Sequence, residues 1–165
     1  MGPIVTKFVL ASTLWSIGLG GGVTSPHSEC DGNTCLDPGT VSYVSVERNT
    51  KAHPNFSLRY GLTLSYIDFT KADRDTAESP RHNVRGDSDL ILHSTFKPTL
   101  TLFERYSFCP HAGMGIDTSG EVYTVLGGGI DVRVYKRLHL EIQGNAIKSK
   151  CTWHRTSTIG VRYEF

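Results

Sequence analysis

The chain has little of what usually classifies a 165-residue protein at sight. Four cysteines are too few for a disulfide-built scaffold, and none stands in a Cys-x-x-Cys pair with zinc-finger spacing. Cys30 and Cys35 frame the turn-rich stretch Asp31-Gly32-Asn33-Thr34, which a small loop disulfide would close in an oxidising compartment. His27 stands close to both, but nothing nearby supplies an obvious fourth ligand, so no metal site and no cofactor is expected. Charge of one sign is also missing. With 17 Lys and Arg against 16 Asp and Glu, nothing draws the protein towards a polyanion, and a nucleic-acid partner is not expected. No window holds the roughly 18 consecutive apolar residues that a membrane-spanning helix needs. The length suits a single domain.

Glycine is what the chain has in quantity. Its 17 residues include the runs Gly20-Gly21-Gly22 and Gly127-Gly128-Gly129, each member of which would cost about 1 kcal/mol inside a helix. Period-two alternation passes through both runs. From Phe56 to Tyr66 the residues Phe56, Leu58, Tyr60, Leu62, Leu64 and Tyr66 take one parity, and Ser57, Arg59, Gly61, Thr63 and Ser65 the other. Such a pattern is a strand with one apolar face. It recurs at Trp15 to Val23, Leu126 to Arg133, Leu138 to Gln143 and Ile159 to Phe165. The whole pattern predicts eight strands, near 13–23, 40–48, 56–68, 89–97, 107–117, 122–134, 138–147 and 157–165. Short turns at Asn49 to Asn55 and Tyr135 to Arg137 take turns with longer polar loops at Thr24 to Gly39, Thr70 to Asp87 and Ser149 to Thr156. Residues 1–12 are set apart. Lys7 followed by Phe8-Val9-Leu10-Ala11 has the order of an export signal but not the apolar length of one, so 1–12 reads as an incomplete signal-like segment and 13–165 as the domain.

Strands of this length, with short turns on one side and longer loops on the other, predict an all-β fold: an eight-stranded antiparallel transmembrane β-barrel. The polar parity decides against a soluble barrel, whose outer face should be rich in Lys and Glu. Here that parity is mostly Gly, Ser and Thr with a few long charged residues, which suits a narrow interior. The charged and imidazole groups on it, Arg59, His93, Asp131, Arg133, His139, Glu141, Arg162 and Glu164, are expected to form a polar interior network. Two stretches fit less well. In 40–48 the residues Val41, Tyr43, Val44 and Val46 keep to no single parity, which suggests a bulge or a weak strand. Between Lys97 and Tyr106 a wide turn is preferred to strand, because a strand through Leu100 and Leu102 would put Glu104 in lipid as well. Phe108, Pro110, Ala112, Met114 and Ile116 then face outward. In that register Cys109 is near the turn side and Cys151 in the last outer loop, too far apart to pair, leaving Cys30 and Cys35 to pair with each other.

The opening Trp15-Ser16-Ile17-Gly18-Leu19-Gly20-Gly21-Gly22, the segment Cys109-Pro110-His111-Ala112-Gly113-Met114-Gly115, Leu126-Gly127-Gly128-Gly129-Ile130-Asp131 and the terminal Gly160-Val161-Arg162-Tyr163-Glu164-Phe165 resemble the small OmpA-like, opacity-type outer-membrane barrels of Gram-negative bacteria. The resemblance covers residue 13 to the end. It implies an outer-membrane location, contact with outer-membrane lipids, and a monomer with a structural, adhesive or protective role carried by its outer loops. Val161, Tyr163 and Phe165 look like the family's recognition signal for the outer-membrane assembly machinery. Arg85-Gly86-Asp87 in the second loop, followed by Ser88, resembles an integrin-binding tetrapeptide and marks a candidate adhesion loop for a host or surface ligand. The alternative is an enzyme acting on outer-membrane lipid. Lipid A deacylase-like barrels carry a His and a Ser two residues apart facing lipid, whereas this chain has His139-Leu140-Glu141 with His139 and Glu141 on the interior parity. No enzymatic activity is expected, and eight strands leave no room for a large aqueous channel.

If the terminal pattern is an assembly signal, deleting Phe165 or replacing it with a charged residue lowers the folded, heat-modifiable fraction in outer membranes far more than an equal change in a loop. Semi-native electrophoresis measures this, and equal folded levels would count against the signal.

Overall fold

The computed structural model describes residues 13–28, 38–68, 88–148 and 152–165. They form eight strands, β1 (Thr13–Ser28), β2 (Gly39–His53), β3 (Phe56–Asp68), β4 (Ser88–Leu102), β5 (Tyr106–Asp117), β6 (Val122–Tyr135), β7 (Leu138–Lys148) and β8 (Thr152–Glu164). Each pairs antiparallel with its sequence neighbours, and β1 pairs with β8 to close the barrel. Following the register from Trp15 through Arg48, Tyr60, Phe96, Ala112, Leu126, Ala146 and Arg155 returns to β1 at Ser25, ten residues further along. That stagger tilts the strands and fixes a narrow interior that side chains fill.

The apolar parity faces out. Leu19, Leu62, Leu126 and Ile159 are each more than half exposed, while Arg59, Asp131, Glu141 and Arg162 are buried inside. This is the inverse of a water-soluble barrel and matches an apolar surroundings for the wall. Both described chain ends and the turns at 54–55, 103–105 and 136–137 lie at one end, here the turn end. The strand ends at Ser28, Gly39, Asp68, Ser88, Lys148 and Thr152, together with the turn 118–121, lie at the other, the loop end. Exposed aromatic side chains, among them Trp15, Tyr60, Tyr106, Tyr135 and Tyr163, crowd the turn end. The Arg48 guanidinium stands 5.9 Å from the ring centres of both Trp15 and Tyr60.

Two expectations need correction. The 40–48 stretch is neither bulged nor weak, since its pairing with β1 and β3 runs without a register shift until Lys51. Its apolar residues change parity because they serve two surfaces: Val44 and Val46 face out, whereas Val41 and Tyr43 point into the barrel. The wide turn at 97–106 is mostly strand as well. β4 continues to Leu102 with Leu100 and Leu102 facing out, and the turn is only 103–105. Glu104 sits in that turn rather than on the wall, beside Phe103, and both have left-handed backbone (φ 60° at Glu104 and 51° at Phe103). Strands β1, β2 and β8 also extend beyond their expected ends, so the loops there are shorter than the sequence suggested. The side that carries the long loops includes one four-residue connection, 118–121, closed by Asp117 Oδ1 accepting from the Glu121 amide at 2.7 Å.

Tyr43 explains two of the glycines. Its ring lies across β1 and β8, and a Cβ on Gly20 would come within 2.7 Å of the ring while one on Gly160 would collide with the hydroxyl. Among the described strands, the pairing of β4 with β5 has a gap. Between β4 and β5 the register is the same at Phe96↔Ala112 and Leu100↔Phe108, but the pairs between them are absent. Pro98 and Pro110 oppose each other there, and neither has an N–H to give. Pro98→Val supplies one donor to the Pro110 carbonyl. The gain of about 0.5–1.5 kcal/mol is offset in part by about 0.4–1 kcal/mol of chain entropy that proline had removed. The expected outcome is a slowly exchanging amide at position 98 with little net change in unfolding free energy; fast exchange would show the seam stays open.

Candidate functional site

The interior is layered. At the loop end Val41, Ile67, Ile91, Tyr123, Val125 and Ile147 form a buried apolar ring. Beneath it a cavity of about 20 Å³, room for about one water, is lined by Tyr43, Thr63, His93, Lys97, His111 and Asn145 among others. Below that comes a dense ionic cluster. The turn end opens into a cavity of about 300 Å³ lined by Lys51, Arg105, Arg133 and Glu104 as well as by Arg59, Arg162 and Glu164 at its floor.

The charged and imidazole side chains of the cluster come from six strands, β2, β3, β4, β6, β7 and β8. Arg59 of β3 reaches across the lumen, placing Nη1 3.0 Å from Asp131 Oδ2 and 2.9 Å from Glu141 Oε1, with Glu47 Oε2 at 3.7 Å. Its Nε donates to Thr99 Oγ1 at 3.1 Å and its Nη2 lies 2.5 Å from Cys109 Sγ. Arg162 of β8 donates from Nε to Glu141 Oε1 at 2.8 Å and from Nη1 to Glu164 Oε1 at 2.7 Å, and pairs through Nη2 with Asp131. Lys97 Nζ sits 2.5 Å from Glu47 Oε1. His139 Nδ1 is 2.7 Å from Asp131 Oδ1, and its Nε2 is 3.5 Å from Glu164 Oε2. Each carboxylate is thus met by at least one cation or donor, as burial requires.

Of the eight residues expected in an interior network, the structure brings Arg59, Asp131, His139, Glu141, Arg162 and Glu164 together. His93 is buried but lies higher, on the small cavity, and Arg133 is exposed at the turn-end mouth. The sequence reading missed Glu47, Lys97, Thr99 and Cys109. Glu47 follows Ser45 and precedes Asn49 on one parity, a signal hidden by the mixed apolar pattern before it; Lys97 and Thr99 fell in the segment read as turn. Cys109 has a free thiol, buried beside Arg59. Cys30, Cys35, Cys151 and the Arg85-Gly86-Asp87 sequence lie outside the described residues. Val161, Tyr163 and Phe165 face outward on the last strand, and the Phe165 amide donates to the Trp15 carbonyl at 2.8 Å, tying the chain end to β1.

The pair that the sequence offered as the counterpart of a lipid-facing nucleophile and base does not face lipid. His139 and Glu141 point into the lumen, and the His139 ring is held by Asp131. His111 pairs through Nε2 with Asn145 and through Nδ1 with the Cys109 carbonyl at 3.2 Å, so both its nitrogens have partners. Among the described residues no group of three or more His, Cys, Asp or Glu side chains is placed to hold a metal ion.

No family model matches the chain, and no curated protein matches it. Solved structures do. Neisserial surface protein A superposes with a TM-score of 0.61 at 9% identity, covering 92% of this chain and 97% of that one. Ail, the attachment invasion locus protein of Yersinia pestis, gives 0.56 at 14% identity over 93% and 99%, and has also been solved in complex with the heparin analogue sucrose octasulfate. A de novo designed transmembrane β-barrel gives 0.54 at 15% identity over 93% and 95%. At these identities the likeness is one of fold: the chain is a closed eight-stranded antiparallel barrel of the kind found in small outer-membrane proteins.

Proposed function

We propose that the chain is an outer-membrane barrel of a Gram-negative bacterium, related to the OmpA-like, opacity-type proteins, that acts through its outer loops in adhesion, protection or envelope structure. The observation that carries this reading is the filled lumen. Among the described residues an apolar ring and an ionic cluster lie in series across it, and the cavity of about 300 Å³ opens at the turn end, below the cluster. With the wall apolar and the lumen plugged at its centre, the loop end is the face this reading assigns to contact with the environment. Ail, a fold neighbour, is an attachment protein by its name, which supports the same assignment for these loops. Lipid contact and passage through the outer-membrane assembly machinery follow from the wall and the terminal aromatic strand, and the barrel needs no second copy to close.

Two outcomes test this. Cells displaying the protein bind host cells or matrix more than cells lacking it, and replacing residues 70–86 with a short Gly-Ser turn abolishes the difference while the barrel still shows heat-modifiable mobility; unchanged binding would remove the adhesive role from that loop. The closure of the lumen has its own check. Arg59→Met leaves Asp131 and Glu141 with one cation fewer and costs about 3–5 kcal/mol in unfolding from lipid vesicles, part of which the added substitution Glu141→Gln restores. A loss under 1 kcal/mol would show that the cluster does not hold the barrel shut.

A further inference from the structure

The outer wall is apolar nearly everywhere, but one corner at the loop end is not. Lys148 on β7 and Arg155 on β8 both face outward and are exposed, and Lys148 pairs in the ladder with Trp153 while Arg155 pairs with Ala146. The two cations are therefore diagonal neighbours on one face, within reach of a single anion of phosphate size. The Arg155 guanidinium lies 4.5 Å from the centre of the Trp153 ring, which holds it against the wall. On the loop-end parts of β2 to β6 the described outward side chains include no Lys or Arg, so among the described residues the outward cations of the loop end gather at this corner.

Below that corner the wall is hollowed. Pro110, Gly128 and Gly144 occupy one rung of the ladder, continuous with Ser157 on β8. A Cβ on Gly128 would meet only Pro110 Cα, at 3.9 Å, and one on Gly144 only the Thr156 carbonyl, at 4.0 Å, so both glycines face open space. Phe108, Ile130 and Ile142 stand proud on the adjacent rung. With the strands tilted, this rung runs obliquely: Gly144 is four residues from the loop end of β7, and Pro98, where the rung begins on β4, is four residues from the turn end. Four interstrand spacings of about 4.8 Å give a slot about 19 Å long.

We propose that this corner and slot bind one phosphorylated glycolipid of the outer leaflet, with lipid A chemistry: a phosphate on Arg155 and Lys148, its sugar against Trp153, and one acyl chain lying down the slot. The inference rests on the outer-membrane reading above. Charge complementarity selects the occupant, because paired outward cations at the loop end meet the leaflet whose headgroups carry sugar phosphates, and the slot below is floored by Pro110, Gly128 and Gly144. Arg155 is the stronger contact, since its fork presents two parallel donors to a phosphate.

The chain has two tryptophans, so Trp15→Phe leaves Trp153 as the sole reporter. The full chain, folded into phosphatidylcholine nanodiscs and checked by its heat-modifiable mobility, is titrated with purified lipid A, with lipid A stripped of its phosphates, and with phosphatidylglycerol. The expected result is a saturable Trp153 emission shift with lipid A, weaker by about tenfold with either of the other two lipids. Arg155→Gln with Lys148→Gln removes that selectivity. Gly144→Leu, which meets open space and so leaves the fold intact, blocks the slot and weakens lipid A binding while the preference for phosphate persists. Equal response to phosphatidylglycerol, or unchanged binding in the double variant, would overturn the site while the membrane reading stands. A chain that stays dispersed in water and does not enter the nanodisc would overturn both.

Discussion

Arg59 is the residue on which the interior turns. The register of the last strands places two carboxylates face to face: Asp131 opposes Glu141 across β6 and β7. Such pairs repel when left to themselves. The compensation comes from the far wall, where Arg59 on β3 spans the lumen to both carboxylates, and from Arg162, which bends back to the same two. Opposite sides of the barrel are thus held by charge at its centre. Neighbouring strands supply part of it, since Arg162 of β8 meets Glu141 of β7, and Arg59 adds the contact from across the lumen.

The same guanidinium repairs the wall. Where Pro98 and Pro110 break the ladder, Arg59 touches Thr99 on β4 and Cys109 on β5, and Thr99 and Cys109 approach each other at 3.7 Å. Backbone pairing lost on the lipid side is replaced by side-chain contacts on the lumen side. In a bilayer this matters more than in water, since hydrocarbon offers no substitute partners to an opened strand pair. The spacing of Thr99 and Cys109, each one residue from a proline, makes the repair possible.

The fold was legible because the alternation of 56–66 is free of exceptions, and because small residues on the polar parity mark a narrow wet interior. The inward charges were legible for the same reason: Arg59, Asp131, Glu141 and Arg162 sit on unambiguous parities. What could not be read was the layering of the lumen. A period-two argument assigns one polarity to each face, but the inner face here is apolar near the loops, neutral and polar beneath, and ionic below that. Val41 and Tyr43 therefore looked like a break in β2 when they are the upper layers of the same regular strand, and Glu47 was lost with them. The end of β4 was lost in a different way. The charge of Glu104 argued for a turn after Lys97, whereas the strand runs past Pro98 to Leu102 and turns just before Glu104, which leaves that carboxylate off the wall.

These two misreadings share a physical origin. A water-soluble sheet has one dry face and is judged by whether its side chains alternate against it; this barrel has a dry outside, an inside that changes character along its axis, and a wall that tolerates a missing pair of hydrogen bonds only because an ion reaches it from within. The local sequence of β4 and β5 carries the defect, and a residue some forty positions earlier, on β3, carries its remedy. Strand continuity at Pro98 is therefore a property of the closed barrel, and the ionic cluster at the centre of the lumen is also what reaches that part of the wall.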